Sequence, residues 1–294
     1  MIYNKEYRGI VIGNVWNENK AAFSRLSDFA RSSETPAQVI GIKYVIKGRE
    51  NYSIDHKTYS VKNDCFFLVN PNRKFEMILD DQEPTTGICI NLEKKVLADV
   101  FNNYSSPEKL LLEEEQSNLI DFDFPETIYQ PDDHFSQYLS LLKNYIDQNT
   151  GKLMIEKEKL YYDVAKNLLL AQSFIRKQVL QIKANKKATR EELFRRVNEA
   201  RAIIDDTLQK PMEIGAIASS VALSEFHFFR IFKQVYGITP HQYQIKQRLE
   251  KAKQQIIKGF SITEAAETNG FADVYSFSKS FKKGFGFSPG QLRK

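Results

Sequence analysis

Ile214-Gly-Ala-Ile-Ala-Ser-Ser-Val-Ala-Leu-Ser224, followed by Phe226-His-Phe-Phe-Arg-Ile-Phe-Lys233, returns further along the chain. The second copy reads Ile262-Thr-Glu-Ala-Ala-Glu-Thr-Asn-Gly-Phe271, followed by Val274-Tyr-Ser-Phe-Ser-Lys-Ser-Phe-Lys282. Phe232-Lys233 corresponds to Phe281-Lys282. Gly237 and Pro240 follow the first pair, and Gly286 and Pro289 follow the second at the same distance. Each copy reads as a short helix, a tight turn and a second helix. The repeat therefore predicts two such units in tandem, joined by one connecting helix.

Seven helices are expected from Glu191 to the C-terminus. The first covers Glu191 to Leu208. The second starts at Pro211, a residue suited to the first position of a helix, and buries Ile214, Ile217, Ala218 and Val221. Ser224 is an N-cap for the third, with Phe228, Ile231, Phe232 and Val235 inward. A long helix from about His241 to Lys258 connects the units. Thr263 to Asn269, Asp273 to Phe285 and Pro289 to Arg293 complete the set. Gly270 supplies the turn of the second unit, where positive φ is easily accommodated. Ala222 stands at the equivalent place in the first.

Charge is distributed unevenly around this region. Residues 183 to 294 carry 20 Lys and Arg against 11 Asp and Glu, whereas residues 1 to 182 carry 22 against 26. A basic C-terminal third beside a mildly acidic remainder is the electrostatic footprint of nucleic-acid binding.

The stretch Gly270-Phe-Ala-Asp-Val-Tyr-Ser-Phe-Ser-Lys-Ser-Phe-Lys-Lys-Gly-Phe-Gly-Phe-Ser-Pro289 resembles the signature of the AraC/XylS-type DNA-binding domain. The resemblance covers about residues 193 to 294. It implies a transcription regulator whose two helix-turn-helix units place their second helices in adjacent major-groove segments of double-stranded DNA. A helix fits that groove, and its outward side chains reach base edges. The resemblance nominates Phe226, Phe229 and Arg230 as base readers in the first unit, beside the outward His227. In the second unit it nominates Val274, Tyr275, Ser276 and Lys279. Arg230 either pairs with guanine or grips a phosphate. Phe229 either touches a thymine methyl or packs, and Tyr275 either reads or packs. Phe277 and Phe281 belong to the core. Lys233, Thr263, Lys282, Lys283 and Arg293 are the phosphate candidates, which set register without reading sequence.

Ahead of this region the chain reads differently. Residues from about 36 to 92 form short strands separated by turns. Val39 to Lys47 alternates, with Ile40, Ile42, Tyr44 and Ile46 on one face and Lys43 and Lys47 on the other. Tyr52 to Asp55 and Thr58 to Val61 flank the turn Asp55-His56-Lys57. Cys65 to Val69, Phe75 to Leu79 and Ile88 to Leu92 follow, and Glu93 to Tyr104 is a helix. Strands spaced this closely argue a small antiparallel barrel or sandwich. The segment Gly48 to Asp64, followed by Phe66 to Pro71, resembles the cupin-type strands that precede the DNA-binding part in many family members.

From Pro131 the period becomes helical, with Phe135, Tyr138, Leu139, Leu142, Tyr145 and Ile146 at helical spacing. A longer helix runs from about Met154 to Ile182. Its stripe of Leu160, Val164, Leu168, Ala171, Ile175, Val179 and Ile182 packs either within the chain or against a second copy. Lys183 to Arg190 is polar, basic and unpatterned, as expected of a linker. The acidic Glu113-Glu114-Glu115 is a solvated surface.

The expected architecture is α+β and multidomain. Residues 1 to 130 form a cupin-like β-barrel, 131 to 182 a helical dimerisation segment, 183 to 190 a linker and 191 to 294 an all-α domain with two helix-turn-helix units. Trp16, Ile42, Tyr44, Ile46 and Phe67 are the candidates for an effector pocket in the barrel, and Arg73 is an anion partner only if it is not simply exposed. His56 stands alone in a turn and His134 lies in a helix, so no metal site or other cofactor is expected, because ligands must converge to hold an ion. Cys65 and Cys89 read as inert core thiols. No apolar run reaches the ~20 residues that span a bilayer, and the start has no signal-peptide core, so a cytoplasmic protein is expected. The implied partners are a small-molecule effector, RNA polymerase and a second copy in a homodimer. Two rivals stand beside this reading: a cupin-type enzyme with an accessory helical domain, and a regulator without effector.

Overall fold

The computed structural model describes residues 20–26, 29–79, 85–104, 124–130, 134–148 and 157–293. Trp16, Glu113 to Glu115, Pro131 to Asp133, Gly151 and Met154 lie outside the described residues. The chain divides into two compact units, residues 1–177 and 178–294. The first is built on β-strands and the second is helical.

The first unit contains β1 (Lys20–Leu26), β2 (Phe29–Glu34), β3 (Val39–Lys47), β4 (Arg49–Ile54), β5 (Lys57–Lys62), β6 (Phe66–Val69), β7 (Lys74–Leu79), β8 (Thr85–Glu93) and β9 (Ile128–Tyr129). They form two antiparallel sheets, ordered β1-β8-β3-β6-β9 and β2-β7-β4-β5. Asp55 and His56 both take positive φ, at 47° and 64°. That is the backbone a two-residue hairpin requires, and it leaves His56 exposed at the tip.

The expected alternation on β3 does not hold. Every residue from Val39 to Val45 is buried, Lys43 included at 8% exposure. The reason is that both faces are covered. On one side Val45 joins Tyr52, Tyr59, Phe67 and Phe75 in a core shared by the two sheets. On the other, Tyr44 neighbours Phe66, which meets Phe135 edge-on at 5.1 Å. Phe135 belongs to α2 (His134–Gln148), while α1 (Lys94–Tyr104) packs beside β8. A strand buried on both faces reads as a continuous apolar run, and the single Lys43 disguised it as an alternating one.

Helix α3 (Lys157–Gln181) buries Leu160, Val164, Leu168, Ala171, Ile175 and Val179, the stripe read from sequence. In the second unit follow α4 (Lys187–Asp206), α5 (Ile214–Ser220), α6 (Glu225–Tyr236), α7 (Pro240–Ile257), α8 (Ile262–Thr268), α9 (Val274–Phe285) and a 3-10 turn (Pro289–Arg293). Helix α4 takes in four of the eight residues read as linker. Arg190 folds that segment back, donating to the carbonyls of Ala184 and Asn185 at 2.8 and 3.1 Å. Pro211 lies ahead of α5 rather than within it. The carbonyls of Leu208 and Lys210 accept from Gln244 and Arg248 on α7, which holds this connection out of the helix.

Both units of the repeat use one construction. Ser224 caps α6 by accepting from the His227 amide, and Asp273 caps α9 by accepting from that of Ser276. Gly237 and Gly286 end those helices in the left-handed conformation. Thr239 opens α7 with a capping box completed by Gln242, and the Ser288 amide donates to Gln291 in the same manner. Phe228, Phe232, Phe277 and Phe281 are fully buried. Each contributes on the order of 1.5–3 kcal/mol through burial alone.

Candidate nucleic-acid interface

Capping fixes the register of the two second helices. Since Ser224 and Asp273 are equivalent N-caps, Phe226 corresponds to Tyr275, Arg230 to Lys279 and Lys233 to Lys282. The outward positions follow from that alignment. Phe226 and Tyr275 are 78% and 79% exposed, although both are large aromatics. Arg230 and Lys279 stand one helical turn further on, and both are exposed. Each unit thus presents an aromatic ring and a cation at a spacing of four residues, on one face of a helix.

The faces differ around that common pair. On α6, Phe226, Phe229, Arg230, Lys233 and Gln234 line an open apolar depression of about 400 Å³. Phe229 is 40% exposed, so it both packs and contributes surface. His227 is half-buried, and burial together with Arg230 and Arg196 holds its imidazole below the usual range. On α9, Tyr275, Lys279 and Lys283 form an exposed row. Val274 is half-buried against the core of Leu249, Phe277 and Phe281. That packing points it away from the outward row, so it is not the counterpart of Phe226. The Ser276 hydroxyl donates back to the Asp273 carbonyl at 3.0 Å, leaving its lone pairs as the free function. Ser278 is the counterpart of Phe229 and was not singled out in the sequence. The cap-to-cap alignment is the signal that finds it.

The phosphate candidates lie on several elements. Lys233, Lys282 and Lys283 are exposed in the last turns of their helices, and Thr263 is exposed in the first turn of α8. Arg293 ends the 3-10 turn.

The turns beneath the faces are held alike. Ala222 and Gly270 both take positive φ, at 54° and 75°. The Ala222 carbonyl accepts from Arg196 Nη1 at 2.8 Å, and the Gly270 carbonyl accepts from Arg248 Nη1 at 2.8 Å. Helix α4, which carries Arg196, is tied to α6 and α7 by an aromatic cluster. Arg201 donates to the Tyr243 hydroxyl and lies over the Tyr236 and Tyr243 rings, while Tyr236 donates to Asn198.

In the β-rich unit the pocket candidates separate. Ile42 and Tyr44 point toward the helices, not between the sheets, and the Tyr44 hydroxyl donates to Asp64 at 3.1 Å. Burial, reinforced by Asp64, pushes that hydroxyl well above its ordinary range. Ile46 is half-buried where the register of β3 against β8 shifts, between Val45 and Lys47. Phe67 does lie between the sheets, packed on Tyr59 and Tyr52 with centroids at 4.6 and 5.6 Å. The polar groups there were unexpected. Lys43 Nζ donates to Cys89 Sγ at 2.7 Å and lies 5.7 Å from the Phe75 centroid. Tyr52 donates to the buried Glu50, whose carboxyl is pushed up by burial and pulled down by Tyr52 and Lys43, with burial prevailing. Arg73 is engaged, bridging Asp55 at 3.0 Å and Glu126 at 2.7 Å. Among the described residues no cluster of His, Cys, Asp and Glu could hold a metal ion, and no helix is long and apolar enough to cross a membrane.

Comparison with known proteins meets both units. Residues 25–161 match the AraC-like ligand binding domain, and residues 217–294 match a helix-turn-helix domain. "Probable transcriptional regulator LumQ" of Photobacterium leiognathi is 37% identical over 87 residues, 29% of this chain and 35% of that protein. The transcriptional activator RhaS of Escherichia fergusonii is 36% identical over 100 residues, 34% of this chain and 36% of that one. The C-terminal domain of AraT, a response regulator from Geobacillus stearothermophilus, is 32% identical and covers 33% of this chain and 83% of that domain, with a TM-score of 0.32. The chain spans about a third of the length of the curated relatives it matches.

Proposed function

The chain belongs to the AraC family of transcription regulators, and on that premise we propose that residues 191–294 bind double-stranded DNA at two successive major-groove segments. The observation that carries this is the repeated outward pair, Phe226 with Arg230 and Tyr275 with Lys279. Large aromatics exposed to 78% and 79% need a partner surface. A base edge offers one, through the thymine methyl for an apolar ring and through guanine for a cation. Lys233, Thr263, Lys282, Lys283 and Arg293 serve the phosphates and fix register. Phe229 and Ser276 border the read bases, and Val274 supports the second helix from the core.

Residues 1–130 act as the sensor in this proposal. A small effector enters between the two sheets, beside Phe67 and the buried Lys43, Glu50 and Tyr52, a polar set inside an otherwise apolar core. Residues 131–182 pair two copies in a homodimer. Leu141, Leu170 and Phe174 are exposed to 67%, 44% and 58% on the helices of this segment, an apolar surface that a second copy would cover. Effector binding then changes the population of two placements of the DNA-binding parts, which requires different affinity for each. The complex works in the cytoplasm with RNA polymerase as a partner.

The test is selection of genomic fragments by the purified full chain, followed by affinity measurement across salt. Specific fragments should emerge, and log K should fall linearly with log salt at a slope of about −0.9 per phosphate neutralised. Absence of any preferred fragment would refute DNA reading. A preferred fragment together with no small molecule that shifts the melting of the β-rich unit would favour a regulator without effector.

A further inference from the structure

The loop that leads into the first unit touches the turn of the second. Leu208 and Lys210 follow α4, and Gly270 follows α8. The guanidinium of Arg248, midway along the connecting α7, donates to all three carbonyls. Nε serves Leu208, Nη2 serves Lys210 at 2.8 Å and Nη1 serves Gly270 at 2.8 Å. Gln244, one turn earlier on α7, adds a bond to Lys210 at 3.0 Å. The approach is close enough that a Cβ on Gly270 would stand 2.5 Å from the Gln209 carbonyl oxygen. The loop ahead of the first helix-turn-helix and the turn of the second are therefore in backbone contact, with one side chain bonded to both.

Three features make this contact more than a filler. The carbonyls lie in the turns just past the C-terminal ends of two helices, the side on which the helix backbone carries partial negative charge, so one cation is held between both turns. Only a planar fork reaches three carbonyls in fixed directions, and a lysine offers a single point charge. The repeat also supplies its own comparison. Arg196 holds the Ala222 carbonyl as Arg248 holds that of Gly270, but its Nε turns back to Glu192 on its own helix, whereas Arg248 bonds both the loop ahead of the first helix-turn-helix and the turn of the second.

We propose that Arg248 is the positioning residue that fixes the spacing and rotational phase of the two DNA segments. It acts on the relation between α6 and α9 and touches no base itself. The inference rests on the DNA-reading proposal above. Moving one segment by a single base pair displaces it about 3.4 Å along the helix and rotates it by about a tenth of a turn. Two reading helices held rigidly cannot both follow such a shift.

The experiment uses the full chain and the fragment it selects, with one base pair inserted or deleted between the segments protected by Arg230 and by Lys279. Wild type should lose about 30-fold in affinity on either change, the cost of losing the base contacts of one unit. Arg248→Met should bind the parent fragment more weakly but lose no more than about 3-fold on insertion, because each unit can then seek its own segment. Arg248→Lys keeps the charge and should behave like the methionine variant, as the fork is what is missing. Gln244→Met, which leaves the three guanidinium bonds in place, should keep most of the wild-type penalty and serves if the other variants unfold. Variants that are weakened equally on every spacing, or that keep the full penalty, would overturn the positioning role. A wild type indifferent to spacing would overturn it as well. Failure of wild type to prefer any fragment would instead refute the underlying DNA reading.

Discussion

Ala222 and Gly270 share one left-handed backbone conformation and differ in what stands over it. Ala222 is exposed, with φ of 54°. Gly270, with φ of 75°, lies against Gln209, whose carbonyl oxygen, carbon and Cα would be 2.5, 3.0 and 3.0 Å from an added Cβ. Positive φ alone therefore does not explain the glycine; backbone approach does.

Exchange at the two turns should give opposite results. Ala222→Gly removes a strain of about 1–2 kcal/mol while freeing the unfolded chain by about 0.5–1 kcal/mol. The variant should be as stable as the parent or up to about 1 kcal/mol more so. Gly270→Ala forces the loop at Gln209 to move, and should cost about 2–3 kcal/mol. Urea unfolding of the two variants decides it. Equal stabilities would mean that the close approach carries no energy.

The repeat was legible because its folding elements are local. Caps at Ser224 and Asp273, left-handed stops at Gly237 and Gly286, and buried Phe232 and Phe281 each act within a turn or two of chain. Other parts depend on partners distant in sequence. Strands β1 and β2 were not foreseen, since they lie at sheet edges, held by pairing to β8 and β7, and edge strands carry little apolar signal. The inward direction of Lys43 depends on which face of β3 the second sheet covers. The family resemblance nominates Val274 as a base reader, but only the core contact of α9 shows which way that first residue points. The tie at Arg248 joins residues 22 to 40 positions apart and has no local signature at all.

Lys43 should be far less replaceable than Lys47, four residues further along the same strand. Lys43 is 8% exposed and helps to hold the Glu50 carboxyl charged against the pull of burial. Removing one member of a buried charged set strands the other. Lys43→Met should cost about 2–4 kcal/mol, and adding Glu50→Gln should restore a good part of it. Lys47, exposed at the strand end, should tolerate Met within about 0.5 kcal/mol. A thermal-melt double-mutant cycle checks the coupling, and simple additivity would show that the two groups do not sense each other.

The cap on α9 titrates, whereas that on α6 does not. The Ser276 amide donates to Asp273 Oδ1 at 2.7 Å, and this bond holds the carboxyl below its ordinary 3.8. A carboxylate whose folded pKa is depressed stabilises the fold above its unfolded pKa and loses that contribution as pH falls through the folded value. Asp273→Ala should therefore melt below wild type at pH 5 to 7, with the gap closing below about pH 4. Asp273→Ser, a cap like Ser224, should differ from Ala by an amount that does not change with pH. A gap between wild type and Asp273→Ala that persists unchanged at low pH would show that the carboxylate charge is not what caps the helix.

Base contacts and phosphate contacts on α9 should separate in a salt titration. Tyr275 and Lys279 project from the middle of the outward face and are exposed, so replacing them with Ala should change stability by no more than about 0.5 kcal/mol. If they meet base edges, each replacement should weaken the preferred fragment by about 1–3 kcal/mol and relax selection at one position. Lys282, near the helix end, should behave otherwise. Lys282→Ala should weaken preferred and unrelated fragments alike, and reduce the salt slope by about 1. Phe277→Ala is the contrasting case, since that ring is fully buried in the same helix. It should cost about 3–5 kcal/mol of stability and abolish binding through unfolding. The decisive comparison is therefore between Tyr275 and Phe277, two residues apart on one helix. Loss of binding by Tyr275→Ala with an unchanged melting curve would place its ring in the groove, and a lowered melting curve would return it to the core.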